Sequence, residues 1–162
     1  MTHPGIDSAA FRELLGRFAT GVTVLTTSSP AGDPLGMTAN SLTSVSLDPP
    51  LVSVCIDHRA EMFRGLAAAE GFVINVLTSD QESVSRRFSG AREDRFQGVG
   101  YRTSEDGYPI LEGVLAHMEC TRHACFEAGD HTVFIGRVIG GHTGPGRPLL
   151  FYRGGYAELE SP

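Results

Sequence analysis

The chain has 162 residues, and its 41% hydrophobic residues are enough to build a sizeable core. We therefore expect one domain that covers residues 1–162. The net charge of −6 disfavours nucleic-acid binding, which normally requires a basic face. All thirteen basic residues are arginine, so Schiff-base, phosphate-loop and general-base chemistry that depends on lysine is excluded.

The N-terminal residues and the cysteines indicate the compartment. Residues 1–5 lack a basic region followed by an apolar run, and no stretch of the chain reaches the length of a membrane span. Three cysteines are too few, and odd in number, for a disulfide framework. These features predict a soluble cytoplasmic protein that does not associate with membranes.

Helix signals are few and short. Asp7 or Ser8 caps an amphipathic helix of about ten residues, whose apolar side chains predict packing against another surface. A second helical pattern covers residues 59–69, and a Ser79/Glu82 capping box starts a third that runs through Phe88. Residues 92–97 form a further short helix or an irregular loop.

Strand signals dominate the rest of the chain, and Asp106-Gly107 is typical of a hairpin turn. Strand patterns cover residues 22–27, 36–47, 51–56, 72–77, 114–126, 133–139 and 149–152. Six or more strands without regular βαβ alternation favour a mainly β fold, a Greek-key barrel with peripheral α-helices.

Residues 36–50 hold the densest group of neutral polar side chains in the chain. Strand alternation places Thr38 and Asn40 on one face and Ala39 and Ser41 on the other, so neither face is purely apolar. Two interpretations remain open from the residues alone. One is a solvated edge strand, and the other is a binding surface for a ligand with hydrogen-bonding edges or a phosphate.

Other kinds of site find less support. Cys120, His123, Cys125 and His131 lie close in sequence, but on one continuous strand Cys120 and Cys125 face opposite sides, so we interpret them as structural and predict no metal site. The serine nucleophile elbow, the phosphate loop and the dinucleotide fingerprint are missing. Any use of a nicotinamide dinucleotide must therefore occur without a Rossmann domain.

Several segments together resemble the flavin reductase family. The matching segments, in chain order, are residues 18–24 (FATGVTV), 38–41 (TANS), 44–51 (SVSLDPPL), 72–77 (FVINVL), 127–131 (EAGDH) and 148–154 (PLLFYRG). The likeness extends over residues 11–156. It implies a split β-barrel of the FMN-binding type, usually a homodimer with the flavin near the subunit interface. It also implies an NAD(P)H:flavin oxidoreductase that reduces FMN or FAD with NADH or NADPH and supplies reduced flavin to a separate monooxygenase.

The resemblance also implies which residues bind the cofactors. It assigns flavin contacts to Thr38, Ala39, Asn40 and Ser41, and further ones to Ser46, Cys55 and Ile56. Arg87 and Ser89 are candidates for the flavin phosphate. His131 matches the family's histidine beside the nicotinamide, and Tyr152 stacks on a ring or packs a dimer interface. No catalytic acid or base is expected, since hydride passes directly between the cofactors.

One departure and two rival functions accompany this interpretation. Leu42 stands where many relatives have Phe, which loosens the packing behind the flavin. A non-catalytic flavin-binding split barrel, acting as a carrier or sensor, is the alternative function, and a purely structural barrel is another. His131 distinguishes these alternatives from the reductase, because a binder without turnover needs no nicotinamide contact.

Overall fold

The computed structural model describes residues 5–90 and 94–159. Three α-helices of eight residues each lie outside the strands: α1 Ser8–Leu15, α2 Glu61–Ala68 and α3 Glu82–Ser89. Within the described residues, no helix has the length and apolar character required to cross a bilayer.

Twelve strands contain nearly half of the described residues. They are β1 Thr20–Gly21, β2 Thr23–Ser28, β3 Pro34–Ala39, β4 Thr43–Leu47, β5 Pro50–Asp57, β6 Gly71–Val76, β7 Tyr101–Thr103, β8 Pro109–Leu111, β9 Ala116–Ala128, β10 His131–Thr143, β11 Leu150–Tyr152 and β12 Gly155–Ala157. Seven of them form an antiparallel sheet in the order β3-β2-β6-β9-β10-β5-β4. Smaller sheets contain β1-β11-β12 and β7-β8.

The two edges of the seven-stranded sheet lie close together in sequence. Strands β3 and β4 are its opposite edges, yet only residues 40–42 connect them. In a flat sheet these edges would lie about 29 Å apart, whereas the link from Ala39 to Thr43 spans at most about 15 Å. The sheet must therefore curl until its edges approach each other without pairing. This geometry confirms the expected mainly β split barrel with peripheral helices.

One predicted strand is two strands in the structure. The prediction of a single strand over residues 36–47 is wrong, because β3 ends at Ala39 and β4 begins at Thr43. β3 pairs with β2 and β4 pairs with β5, so the alternation of faces does not carry through the link. The sequence pattern could not reveal the break, since Thr38 before it and Thr43 after it are both good strand formers.

The core consists of two clusters of buried apolar residues. The larger cluster includes Leu25, Val54, Ile56, Met62, Leu66, Phe72, Ile74 and Phe134, and the smaller includes Val22, Val24, Leu77, Phe88, Leu111 and Leu149. Each such side chain contributes about 1.5–3 kcal/mol by leaving water. The buried amide of Asn75 donates to the Val24 carbonyl and accepts from the Leu111 amide, so it ties β2, β6 and β8 together.

The start of α1 agrees with the prediction, whereas the capping box before α3 is displaced by one residue. Asp7 Oδ1 accepts hydrogen bonds from Ala9 N at 2.9 Å and Ala10 N at 2.8 Å, which confirms the predicted cap of α1. The predicted Ser79/Glu82 capping box is wrong. The actual box starts one residue earlier, where Gln81 Oε1 accepts from Thr78 N at 3.1 Å and begins a 3-10 turn that leads into α3.

The apolar face of α1 is uncovered. Its apolar residues Phe11, Leu14 and Leu15, together with Phe18 just beyond its end, are between 52% and 72% exposed. The sequence predicted that this helix packs on another surface, and no described residue of the same chain covers it. The face is therefore available to another molecule.

Two loop predictions and one strand prediction can be compared with the structure. The hairpin at Asp106-Gly107 is confirmed, because β7 and β8 pair on either side of it and Gly107 has a φ of 86°. Residues 94–98 form turns, whereas 91–93 lie outside the described residues. Strand β9 contains a bulge at His123, so the uninterrupted strand assumed for Cys120 and Cys125 is not present.

Candidate functional site

Ser41 links the connection between the two edge strands to β5. Its hydroxyl accepts a hydrogen bond from Cys55 N at 3.0 Å and donates one to the Cys55 carbonyl at 3.3 Å. A short side chain that can both donate and accept is suited to this position, because it satisfies the amide and the carbonyl of Cys55 at the same time. Two residues that the sequence analysis placed in the site, 14 positions apart, are thus in direct contact.

Asn40 and Ser41 line a groove of about 630 Å³, which we call the loop groove. Its other walls include Leu15, Phe18, Thr20, Gly21, Thr23, Leu42, Thr43 and Val76. The volume lies within the usual range for small-molecule sites. The Thr20 hydroxyl is buried and has no hydrogen-bond partner among the described residues. Small side chains with an unpaired hydroxyl fit a planar ligand that has polar edges, such as an isoalloxazine.

The side chains of Thr38 and Ala39 contact other parts of the protein. The Thr38 hydroxyl donates to the Ser85 carbonyl of α3 at 2.7 Å, and Ala39 packs against the larger core cluster. The Ile56 side chain is fully buried in that same cluster. Any contact that Ile56 makes with a ligand must therefore use its backbone groups, whereas Thr38 and Ala39 are only half-buried. Ser46, beside a bulge in β4, is half-buried.

Ser89 lies in a different groove, of about 640 Å³, which we call the α3 groove. Arg95 crosses it: Nη1 donates to the Gly36 carbonyl at 2.8 Å, and Nε donates to the Gly90 carbonyl at 3.1 Å. Nη1 also lies 3.4 Å from the Glu61 carboxylate. Arg95 therefore joins β3, α2 and the end of α3 and places a guanidinium beside Ser89.

Arg87 is not in the α3 groove. It lines a separate pocket of about 270 Å³, and its Nη2 lies 3.3 Å from the Asp94 carboxylate. The structure thus does not bring Arg87 and Ser89 together, although both are on α3, because residues two apart on a helix point about 200° apart. Sequence reasoning missed Arg95, since nothing in its mixed-charge surroundings distinguishes it from a solvated arginine.

His131 begins β10 directly opposite Asp57 of β5. Its Nδ1 lies 2.7 Å from Asp130 Oδ1, and this hydrogen bond holds the pKa of Asp130 below its usual value. Asp57 is bound by both Nε and Nη2 of Arg59, which lowers the pKa of Asp57 strongly. The imidazole is half-exposed, so it lies within reach of a ligand.

Strand pairing places His131 and Cys55 on the same face. Val133 is opposite Cys55 in the β5–β10 ladder, and alternate residues of a strand share a face. Asp57 and Cys55 are two positions apart, which separates them by about 7 Å along the strand. The sheet therefore brings Ser41, Cys55 and His131 to one region, although they are far apart in the chain.

Two other predictions concern Tyr152 and the cysteine–histidine cluster. Tyr152 is exposed on β11 of the small three-stranded sheet and lines neither the loop groove nor the α3 groove. Cys120 is buried and Cys125 is exposed. Over residues 5–90 and 94–159, no three His, Cys, Asp or Glu side chains converge in a way that could hold a metal ion.

Known proteins with similar sequences share one description. The family model "Flavin reductase like domain" matches residues 15–160. A "Probable flavin reductase" of Rhizobium meliloti is 46% identical over 156 residues, which are 96% of this chain and 50% of that protein. The chain thus spans half the length of this relative. The reductase subunit of a flavin-dependent monooxygenase from Mycobacterium tuberculosis is 42% identical, and the match covers 96% of this chain and 84% of that protein.

Structural comparison agrees. A Streptomyces globisporus NADH:FAD oxidoreductase, solved in complex with NAD and FAD fragments, superposes with a TM-score of 0.90 and 41% identity. The superposition covers 95% of this chain and 93% of that one. The loop groove, the Ser41–Cys55 contact and the family match over residues 15–160 agree with one another, and the chain belongs to the flavin reductase like domain family.

Proposed function

We propose that this chain is an NAD(P)H:flavin oxidoreductase that reduces FMN or FAD and supplies the reduced flavin to a partner monooxygenase. The observation that carries the proposal is the placement of His131 on the same face as Cys55, the residue that anchors Ser41 and the connection between β3 and β4. The names of the similar proteins, a monooxygenase reductase subunit and an NADH:FAD oxidoreductase, support it.

The residues of this chain act by position. A bound flavin supplies the hydride acceptor and a reduced nicotinamide the donor, so the protein needs no acid or base at the moment of transfer. Ser41 holds residues 40–42 against β5, and the backbone of Ala39 and Asn40 together with the Thr20 hydroxyl would meet the edges of the flavin. Ser89 and Arg95 would bind its phosphate in the α3 groove.

His131 would hold the nicotinamide. Its Nδ1 is occupied by Asp130, so Nε2 is the nitrogen left to contact a ligand. A fixed ring orientation lowers the entropy lost when two reactants are aligned. The imidazole thus favours one pose of the nicotinamide over the flavin.

The active form would be a cytoplasmic homodimer of one domain per chain. Its support is the exposed apolar surface formed by Phe11, Leu14 and Leu15 of α1 and by Phe18 just beyond the helix. Leu15 and Phe18 also line the loop groove, so a second copy that covers this face would close the groove as well.

The test is a reductase assay with purified protein. NADH or NADPH is added with FMN or FAD, and loss of the reduced nicotinamide absorbance is followed. Turnover that requires added flavin supports the proposal. Flavin binding without nicotinamide oxidation would instead favour the carrier or sensor, and the lack of both would leave only a structural barrel.

A further inference from the structure

A third groove runs along α2 and does not include Ser89. It encloses about 540 Å³ and is lined by Ser29 and Pro30 of the β2–β3 turn, by His58 before the helix, and by Arg64 and Ala68 on the helix. We call it the α2 groove. Nothing in the site described above uses Arg64 or the β2–β3 turn.

The α2 groove adjoins the α3 groove. Both are lined by Leu35, Arg59, Ala60 and Glu61, so they meet where β3 passes the start of α2. A ligand that places a phosphate near Ser89 and Arg95 can therefore continue across this shared wall. Together the two grooves offer room for a nucleotide attached to the phosphate that Ser89 and Arg95 would bind.

Arg64 differs from the other two arginines that line these grooves. Arg59 is paired with Asp57 at 2.7 Å, and Arg95 lies 3.4 Å from Glu61. Arg64 makes no hydrogen bond or ion pair with any residue in the described ranges. Among the described residues, none holds Arg64 in an ion pair that a phosphate would have to displace, whereas a phosphate that approaches Arg59 competes with Asp57.

We infer that the α2 groove receives the adenylate half of FAD, and that this chain prefers FAD to FMN because Arg64 contacts the adenylate phosphate. The inference rests on the proposed function. FMN ends at its single phosphate, which the α3 groove accommodates, so FMN leaves the α2 groove empty. FAD extends farther by one adenylate, whose base would lie against the apolar walls provided by Pro30, Leu35 and Ala68.

Binding of each flavin without nicotinamide is the experiment that tests the inference. Dissociation constants for FAD and FMN are measured by flavin fluorescence with the unmodified chain, Arg64→Ala and Arg64→Glu. Arg12→Ala is the matched control, because Arg12 is another exposed arginine without a described partner and lies on α1, away from both grooves.

The unmodified chain should bind FAD more tightly than FMN. Arg64→Ala should weaken FAD binding about five-fold, as expected for loss of one exposed charge-assisted contact of about 1 kcal/mol. FMN binding should stay within about two-fold, Arg64→Glu should weaken FAD further, and Arg12→Ala should change neither. Equal affinity for the two flavins, or equal losses for both in Arg64→Ala, would overturn the inference.

These outcomes are independent of turnover. If FAD preference depends on Arg64 but nicotinamide is not oxidised, the adenylate site stands and the reductase function fails. If reductase activity is present but Arg64→Ala leaves both affinities unchanged, the reductase function stands and the adenylate site fails.

Discussion

The imidazole of His131 and the carboxylate of its neighbour Asp130 form a 2.7 Å hydrogen bond at the first residue of β10. The bond lowers the pKa of Asp130 below its ordinary value, so the carboxylate stays charged at neutral pH. Because this partner occupies Nδ1, the ring can offer only Nε2 to a bound molecule. In the function proposed above, this pair orients the nicotinamide on the face of the sheet that also carries Cys55.

His131→Ala tests this arrangement. We expect the Michaelis constant for the reduced nicotinamide to rise about ten-fold, which corresponds to about 1.4 kcal/mol, since a contact to the ligand is lost. The constant for flavin should change less than about two-fold. His123→Ala, at the exposed bulge of β9, is the control and should behave as the unmodified chain. Parallel increases in both constants would remove His131 from its proposed role.

Ser41→Ala should weaken both the fold and flavin binding. The substitution deletes two half-buried hydrogen bonds to Cys55, and we expect the free energy of unfolding to fall by about 1–2 kcal/mol. Urea denaturation measures this change, and flavin fluorescence measures the affinity. Ser44→Ala is the control, because Ser44 is exposed on β4 and makes no side-chain hydrogen bond among the described residues. Unchanged stability would mean that Ser41 does not hold the loop.

Gly36→Ala should destabilise the α3 groove. A Cβ at Gly36 would overlap Phe88 Cε1 and lie 3.1 Å from Phe96 Cζ, closer than van der Waals contact allows. Both rings are packed edge to face, so relief requires repacking, which costs about 1–3 kcal/mol. Thermal and urea unfolding should show the loss. In Gly155→Ala, whose nearest neighbour would be Tyr152 O at 3.8 Å, stability should stay within about 0.5 kcal/mol.

His117 should make stability depend on pH. Burial of its imidazole and the nearby Arg102 guanidinium, 3.4 Å away, lower the pKa of His117 below 6.5, while Glu119 partly opposes this and His142 adds to it. The unfolded chain then binds the proton more readily than the folded one. Its contribution to stability is fully present above about pH 6.5 and is lost as the pH falls through the lowered pKa.

Urea unfolding of His117→Gln across this pH range provides the measurement. The free energy of unfolding should fall less steeply with acidification than in the unmodified chain, because the titrating group is gone. His123→Gln, at an exposed position, should keep the original slope. An identical slope in His117→Gln would show that other groups cause the acid sensitivity.

The cysteines should differ in reactivity. Burial raises the pKa of the Cys120 thiol to about 12, so it stays protonated at neutral pH, whereas Cys125 is exposed. Alkylation followed by peptide mass spectrometry should modify Cys125 in the folded protein and Cys120 only after unfolding. In Cys125→Ser the rapid modification should be reduced. Rapid labelling of Cys120 in the folded protein would contradict its burial.

Local patterns in the sequence were reliable where one short segment decides its own conformation. Asp7 caps α1 because its carboxylate reaches amides two and three residues away, and Asp106-Gly107 turns because glycine adopts a positive φ at little cost. The six matching segments between residues 18 and 154 likewise carried the family resemblance as a set, without any knowledge of the fold. The flavin residues assigned from it remain predictions, as does the role of His131.

Contacts between distant segments could not be read in the same way. The break at residues 40–42, the Ser41–Cys55 contact and the separation of Arg87 from Ser89 all depend on how the sheet curls and how α3 is rotated against it. Arg95 became a candidate site residue only from the structure, because its guanidinium donates to the carbonyl of Gly36, 59 residues away.

By itself, then, the sequence determined the class of fold, the cap of α1, the β7–β8 hairpin and the family to which the chain belongs, since each depends on residues close together in the chain or on short segments typical of the family. The tertiary structure alone decided which polar side chains share a groove. Side chains meet in space through long-range strand pairing, and that pairing depends on burial of the whole core rather than on any one segment.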